Sequence, residues 1–572
     1  MDVVRRLHPL LLVPPALVVA LALDQGGFDP SAWVWSGALA AWAGATAVVL
    51  SRDLRLSRPA WTWLASASLV LAWVALSWLW SDRRVQTVLE VRRTAVYAAA
   101  VLALVALVRS GAERHLLRLT HLAITAVIAY ALVRYLTETR IYDMFEGTLL
   151  AQPLGYANAL AVLAAIGVVL GIGLVAHEPA RPARAAAAAT VPVLATALPL
   201  TQSRGAIVAL GIGLVTTIAC ADDAAPFVRA TLLVAPGSVL AAIVAATSRL
   251  DAGSVKPYAH AAWVVGSVAI ACAAGTAVVA ARTWRFPRSR RRVPRPWLVA
   301  ILVAGVVAAG VASGSTQPRS SYWGVAWHVF EGHVAFGSGA GTFALAWARS
   351  GLIATRAGAL DAHSLYLETP AELGLVGLAL VLAFLALPLA CARRAPVAAG
   401  AYAVFLVHAG LDWDWEMPAV VLAGLCCGAA ALAAGATQPR SVTARGRATI
   451  VALAIALGAL SIAGARSSSE PGVSPPRSAA AVLGARVAVL PVAVPITLPM
   501  LLLRSGLSGA GRKRVAVAEV RLDGLRRHRD QVPRMLLRVR AMADLHAVLL
   551  ARGSVLAAGR AVLAAGRAVL TA

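Results

Sequence analysis

Charged side chains are scarce. Asp, Glu, Lys and Arg make up 14% of the 572 residues, where a soluble chain carries about 25%. Lysine is nearly missing: only Lys256 and Lys513 occur among 52 basic residues, which leaves 50 arginines. Cysteine is rare as well. Cys220, Cys272, Cys391, Cys426 and Cys427 all lie in or beside apolar runs, with no paired spacing in a loop. They read as small buried hydrophobes, not as disulfides or metal ligands. A string of soluble domains and a disulfide scaffold are both excluded.

In place of charge the chain has 60% hydrophobic residues and a mean hydropathy of +0.76. Its apolar residues fall in long runs. Leu154–Ala176, for example, holds no charge and is long enough to cross a bilayer. The expected fold is therefore all-α: a polytopic integral membrane protein with about 12–15 transmembrane helices and one large external loop. The formal charge of +26 would suggest nucleic acid in a soluble domain. Here the arginines sit mainly in short loops between apolar runs, the pattern that orients a membrane protein. The expected partner is the lipid bilayer, with no nucleic acid.

Spans are predicted near 9–23, 31–50, 60–80, 94–109, 119–136, 154–176, 185–200, 205–220, 229–247, 261–281, 297–313, 371–390, 397–411, 417–436 and 448–465. Arg5 and Arg6 before the first run place the N-terminus in the cytoplasm and argue for a retained helix over a cleaved signal peptide. The segment from Arg282 to Pro296 carries seven arginines and no acid, which places it in the cytoplasm too. Arg52, Arg55, Arg58, Arg393, Arg394, Arg440, Arg445 and Arg447 then also fall inside. One loop breaks the rule: Arg83, Arg84, Arg92 and Arg93 come out on the external side.

By this count residues 1–465 form the membrane domain, and residues 314–369 form its external loop, too long for a mere connection. Residues 466–572 open with a Ser/Pro linker and continue as a basic tail. The tail ends in Ala-Ala-Gly-Arg-Ala-Val-Leu repeated at 557–563 and 564–570. It reads either as a basic membrane-surface helix or as a reading-frame artefact of a GC-rich gene, and carries no functional expectation.

Polar residues that carry chemistry gather on the external side. In the long loop, Tyr322, Val325, Val329 and Phe330 share one face of a helix that follows Arg319. The cluster Gly337-Ser338-Gly339-Ala340-Gly341 reads either as a phosphate cradle or as a flexible turn. His363 comes next, with Glu368 and Glu372 four residues apart on one helix face, where a carboxylate can orient an imidazole. Arg204 stands where an apolar span turns over at the same side. Two guanidinium forks, Arg204 and Arg319, suit a diphosphate. Asp412-Trp413-Asp414-Trp415 matches a metal-binding Asp-x-Asp, though that motif belongs to soluble α/β domains. Its tryptophans suit interfacial anchoring or sugar binding.

Together, Ser203-Arg204-Gly205, Arg319…Trp323…Trp327…Gly337-x-Gly339-x-Gly341-x-Phe343, and His363-Ser364-Leu365-Tyr366-Leu367-Glu368 with Glu372-Leu373-Gly374 resemble the O-antigen ligase and polymerase superfamily. Gln152-Pro153-Leu154-Gly155-Tyr156-Ala157-Asn158 is similar to a further segment of it. The resemblance implies a multispanning glycosyltransferase in the cytoplasmic membrane, inverting and metal-independent, with no cofactor. Its donor would be a polyprenyl-diphosphate-linked glycan and its acceptor a glycan, lipid or protein, with the active site on the external face. Arg204 and Arg319 would bind the diphosphate and His363 would be the base. Glu368, Glu372, Asp412, Trp413, Asp414 and Trp415 would support the site or the acceptor. Ligase and polymerase share these residues. The family often has Asn where this chain has Ser364, and a proline before the glycine cluster where it has Val334 and Ala335. The alternative is a transporter of a small anion or of lipid-linked glycan.

Overall fold

A computed structural model describes residues 9–108, 111–138, 145–250, 258–282, 319–351 and 359–462. The arginine-rich segment beyond Arg282, the span expected near 297–313, residues 314–318 of the long loop and everything from 463 onward lie outside the described residues. The last group includes the Ser/Pro linker and the basic tail.

The described chain is almost entirely helical. In order, its helices are α1 Val13–Leu23, α2 Pro30–Leu50, α3 Arg58–Leu76, α4 Arg84–Leu107, α5 Glu113–Thr137, α6 Ala157–His177, α7 Arg181–Thr201, α8 Arg204–Cys220, α9 Ala225–Thr247, α10 Tyr258–Arg282, α11 Arg319–Gly332, α12 Phe343–Arg349, α13 Leu365–Ala386, α14 Pro396–Ala409, α15 Pro418–Ala434 and α16 Ala444–Ile462. Among the described residues nine helices are long and apolar enough to cross a membrane, and α1, α8, α14 and α15 are shorter apolar helices. The protein is a polytopic α-helical membrane protein. α6, the most apolar, is buried along nearly its whole length at the centre of the bundle. The cysteines are all free, with Cys272, Cys426 and Cys427 buried.

Local chemistry sets the helix starts. Proline near the first turn costs no helical hydrogen bond, and it opens α2, α3, α7, α14 and α15. Asp29 caps α2 by accepting the Ser31 N–H at 2.8 Å, and Ser57 caps α3 through Ala60.

Turns far apart in sequence gather into two groups. On one face the α14–α15 turn meets the starts of α6 and α8, and the α3–α4 turn meets the glycine cluster. On the other face two arginine-bearing loops meet through a minimal antiparallel pair, β1 Arg55–Leu56 with β2 Arg440–Ser441. Arg447 reinforces it by donating to the Val48 carbonyl at 2.6 Å.

One expected boundary is corrected, and the correction takes two of the four arginines out of the loop that breaks the charge rule, leaving Arg83 and Arg84 exposed there. Arg92 and Arg93 belong to no loop. They lie buried within α4, which starts at Arg84 and not near 94. Arg93 is neutralised by Glu90 in the preceding turn and by Glu416, whose Oε2 lies 2.6 Å from Nη1. A buried charge persists only when it is paired and hydrogen-bonded, and these two carboxylates supply the pairing.

α13 breaks at Gly374, whose φ is +67°. A Cβ there would lie 2.3 Å from the Ala335 carbonyl oxygen. The break lets the chain at 334–336 pass against the helix and pair with it, Leu375 N–H donating to Val334 O at 2.9 Å. Gly374→Ala should destabilise the protein by at least about 1–3 kcal/mol, from left-handed strain and the backbone clash. Gly275→Ala, a helical position with nothing within 4 Å, is the control. Thermal unfolding in detergent should drop by several degrees for the first and stay level or rise for the second.

Candidate active site

The face that collects the α14–α15 turn is organised around a buried carboxylate. Asp412 is 1% exposed and accepts from four donors. Tyr156 OH reaches Oδ1 at 2.6 Å, and the Trp413 N–H reaches it at 2.8 Å. Asn158 Nδ2 reaches Oδ2 at 2.6 Å, and Arg319 Nη2 reaches it at 2.9 Å. Asn158 also donates to Tyr156 OH at 2.9 Å, which closes the network. Both oxygens are occupied, so Asp412 is an anchor for Arg319 and not half of a metal-binding pair. Arg319, the first residue of α11, keeps 27% of its side chain exposed, and its Nε finds no protein acceptor.

Asp414 faces elsewhere. Its Oδ2 lies 3.0 Å from Nδ1 of His408, and both side chains are almost fully buried. The Asp-x-Asp motif is thus split between two tasks, which removes the metal reading of the pair. The tryptophans are split too. Trp413 packs on Tyr156 (ring centroids 4.5 Å) and meets Phe28 edge-on at 5.3 Å. Trp415 lies under the Arg93 guanidinium at 5.3 Å. Both fasten the turn to α4 and α6.

His363 sits just before α13 with φ +52°, in the left-handed region that histidine tolerates better than most residues. Its ring stacks on Tyr322 of α11 at 4.9 Å and 27°. Nδ1 is 2.7 Å from Asp361 Oδ1, and that same oxygen accepts the His363 backbone N–H at 2.9 Å. The contact is a charge pairing out of line with the ring N–H. Burial by itself would depress the imidazole pKa, but Asp361, helped by Asp412, outweighs burial and the repulsion from Arg319. The pKa is raised above the ordinary 6.5. Nδ1 is buried against Asp361 while the side chain as a whole keeps 19% exposure. Nε2 is therefore the nitrogen left for a substrate.

The carboxylate beside the imidazole is Asp361, and not Glu368 or Glu372 as expected from their spacing. Those two bind backbone. Glu368 Oε2 accepts the Ala362 N–H at 2.6 Å, which pins the loop that presents His363. Glu372 accepts the N–H groups of Gly341 (2.7 Å) and Phe343 (2.8 Å). Gly337, Gly339 and Gly341 all have positive φ, but only the N–H groups of Gly341 and Phe343 face an anion, and it is the protein's own Glu372. The remaining N–H groups of 337–340 go to His333 O, Ala371 O, Glu372 O and Ser77 Oγ. Both earlier readings of the cluster, flexible turn and phosphate cradle, give way to a fixed joint between α3 and α13.

Arg204 is the exposed first residue of α8, beside Ser203, which caps the helix through Ala206. Gly205 seats this turn on the α14–α15 turn: a Cβ on Gly205 would lie 3.3 Å from His408 Nε2. The structure thus brings Arg319, Asp412 and His363 together and sets the Arg204 turn against the same group. His408, from the start of the Asp412 segment, and Tyr322, from the helix face after Arg319, join them, and so do Asp361, Tyr156 and Asn158, to which the sequence assigned no role. Asp361 stands two residues before His363. Tyr156 and Asn158 stood in a segment noticed only for its resemblance.

Comparison with known protein families now bears on this geometry. A family model described as O-antigen ligase matches residues 189–382. That segment, about a third of the chain, is similar to the O-antigen ligase family. A search of curated proteins found no match. The O-antigen ligase segment runs from within α7 to within α13. It takes in Arg204, Arg319, the glycine joint, Asp361, His363, Glu368 and Glu372, whereas Asp412 and its turn lie beyond it. The family is one of membrane enzymes of polysaccharide biosynthesis.

Asp412→Ala should leave the Tyr156 hydroxyl and one of the two Asn158 amide protons without an acceptor. An unsatisfied buried donor costs about 1–3 kcal/mol, so the melting temperature of the protein should fall by several degrees. Asp412→Asn, which keeps one carbonyl oxygen, should lose less. Equal stability of Asp412→Ala and wild type would contradict the anchoring role.

Proposed function

We propose that this protein transfers or polymerises glycan from a polyprenyl-diphosphate-linked donor at the outer face of the cytoplasmic membrane, with its N-terminus in the cytoplasm. The acceptor is a hydroxyl of a glycan, lipid or protein. The observation that carries the reading is the pairing, on one face of the bundle, of an Asp-anchored arginine with a carboxylate-backed histidine.

In this reading the acceptor hydroxyl attacks the anomeric carbon from the side opposite the diphosphate, so the configuration inverts. The bond from the anomeric carbon to the diphosphate oxygen breaks, and its electron pair leaves on that oxygen. His363 Nε2 takes the hydroxyl proton as a general base, and Asp361 stabilises the imidazolium that results. Arg319, whose side chain stays partly exposed, and Arg204 stabilise the charge that grows on the diphosphate. Diphosphate is already a good leaving group, so charge stabilisation and a placed base suffice, and the step is metal-independent. Glu368 and Glu372 support the site by holding the His363 loop and the glycine joint.

The transporter reading calls for ionisable groups that open onto a path across the membrane. Within α4 the buried Arg93 is closed on Glu90 and Glu416, an arrangement that supports a rigid scaffold better than a route.

Membranes supplied with polyprenyl-diphosphate-linked oligosaccharide should release free polyprenyl diphosphate. His363→Ala should lower turnover by about 10²–10⁴-fold, the usual contribution of a general base, and Arg319→Ala and Arg204→Ala should also impair it strongly at equal expression. Wild-type rates in all three variants would refute the mechanism.

The base must be neutral to act, so turnover should rise with pH through a midpoint above 6.5. Asp361→Asn removes the group that raises this pKa, and the midpoint should move to lower pH. An unmoved midpoint would show that another group sets the profile.

A further inference from the structure

At the face opposite the candidate active site, the start of α3 and the ends of α4 and α15 enclose a cavity of about 460 Å³, a size typical of ligand pockets, which run about 300–1,000 Å³. Its inner wall is apolar and buried, with Trp63, Leu104, Val105 and Leu432. Its outer edge is charged and exposed, with Arg52, Asp53 and Arg55. The cavity is therefore polar where the helices end and apolar toward their middle.

The charges at this edge do not cancel. Asp53 accepts from Ser441 Oγ at 3.0 Å and lies 3.8 Å from Arg55. Arg52 has no carboxylate within ion-pair distance among the described residues. The backbone that carries Arg52 is held in place, because Arg447 donates to the carbonyls of Val48, Ser51 and Arg52. The β1–β2 pair fixes Arg55 in the same way. In the wall, the Trp63 indole N–H is fully buried and has no acceptor. The site is thus a fixed one with excess positive charge at its mouth and an apolar interior.

We infer that this cavity binds an anionic phospholipid, its phosphate headgroup on Arg52 and Arg55 and the start of one acyl chain along Trp63, Leu104 and Leu432. Arginine forks match phosphate oxygens, and basic pockets between membrane helices near the bilayer surface take anionic headgroups. A soluble anion would leave the apolar wall unused. A lipid without net charge would leave the excess arginine charge unmatched. The inference is independent of the glycosyl-transfer reading, since its residues and its face are different.

The test uses the full-length protein, delipidated in a neutral detergent and titrated separately with phosphatidylglycerol, phosphatidylcholine and inorganic phosphate. Bound lipid is read by native mass spectrometry and thermal unfolding is read in parallel. Phosphatidylglycerol should bind the wild type and raise its melting temperature, and phosphatidylcholine should bind at least tenfold more weakly. The double variant Arg52→Gln/Arg55→Gln should lose at least tenfold in phosphatidylglycerol affinity. Ala60→Phe, which fills the cavity from its lining, should lose binding with the charges intact and guards against a folding defect in the double variant. Arg349→Gln, an exposed arginine on the other face, should bind like wild type. Equal binding of the two lipids, or unchanged phosphatidylglycerol affinity in both cavity variants, would overturn the inference. Stabilisation by inorganic phosphate alone to the same extent would overturn it in favour of a soluble-anion site.

Discussion

The rest of the site depends on the burial of Asp412. A carboxylate that deep in a membrane protein must be satisfied by the protein itself. This one draws its donors from three separate stretches of chain: Tyr156 and Asn158 at the start of α6, Arg319 at the start of α11, and the backbone of its own turn. Each donor is thereby held where the carboxylate needs it. Arg319 is placed within electrostatic reach of His363, and the turn is placed against the start of α8, where Arg204 emerges. One buried charge aligns the ends of helices that are far apart in sequence.

Two further carboxylates extend the same logic to the backbone. Glu368 and Glu372 lie one helical turn apart, and each accepts N–H groups from a loop that would otherwise leave them unsatisfied. The glycine cluster shows why such a loop needs an anion. Beside three positive-φ glycines, the N–H groups of Gly341 and Phe343 turn inward together, and this donor pair favours negative charge. Because Glu372 fills it from within, the joint is complete without substrate. This gives the loop that carries His363 a fixed base on α13, which a general base requires if it is to meet a hydroxyl at hydrogen-bond distance.

Much of the fold was legible because a bilayer demands long apolar runs and internal pairing of backbone groups. The candidate site was legible in part, for a related reason. In so apolar a chain Arg204, Arg319, His363 and Asp412 stand out as polar residues beside membrane spans. Partnerships were not legible. Spacing alone pairs His363 with the two glutamates on the following helix, yet the left-handed backbone at His363 turns the imidazole back toward Asp361. Arg92 and Arg93 looked like loop residues because the partner that lets Arg93 enter the helix, Glu416, lies 323 residues away. Hydropathy is a local property, and the neutralisation of a buried charge is not.

The fifty arginines make the same point about function. Composition and loop position treat them alike, as markers of sidedness. The structure separates them by what each guanidinium faces. Arg93 is closed on two carboxylates and belongs to the scaffold. Arg447 is committed to carbonyls and clamps two loops together. Arg319 is tethered through one nitrogen, Nη2, and keeps about a quarter of its side chain exposed. Only the last arrangement is both held in place and still able to grip a ligand. An arginine poised for an anion is therefore marked by a single, buried, fully satisfied acid behind it. Under the proposed function that criterion points to Arg319, for a reason that loop charge counting does not contain.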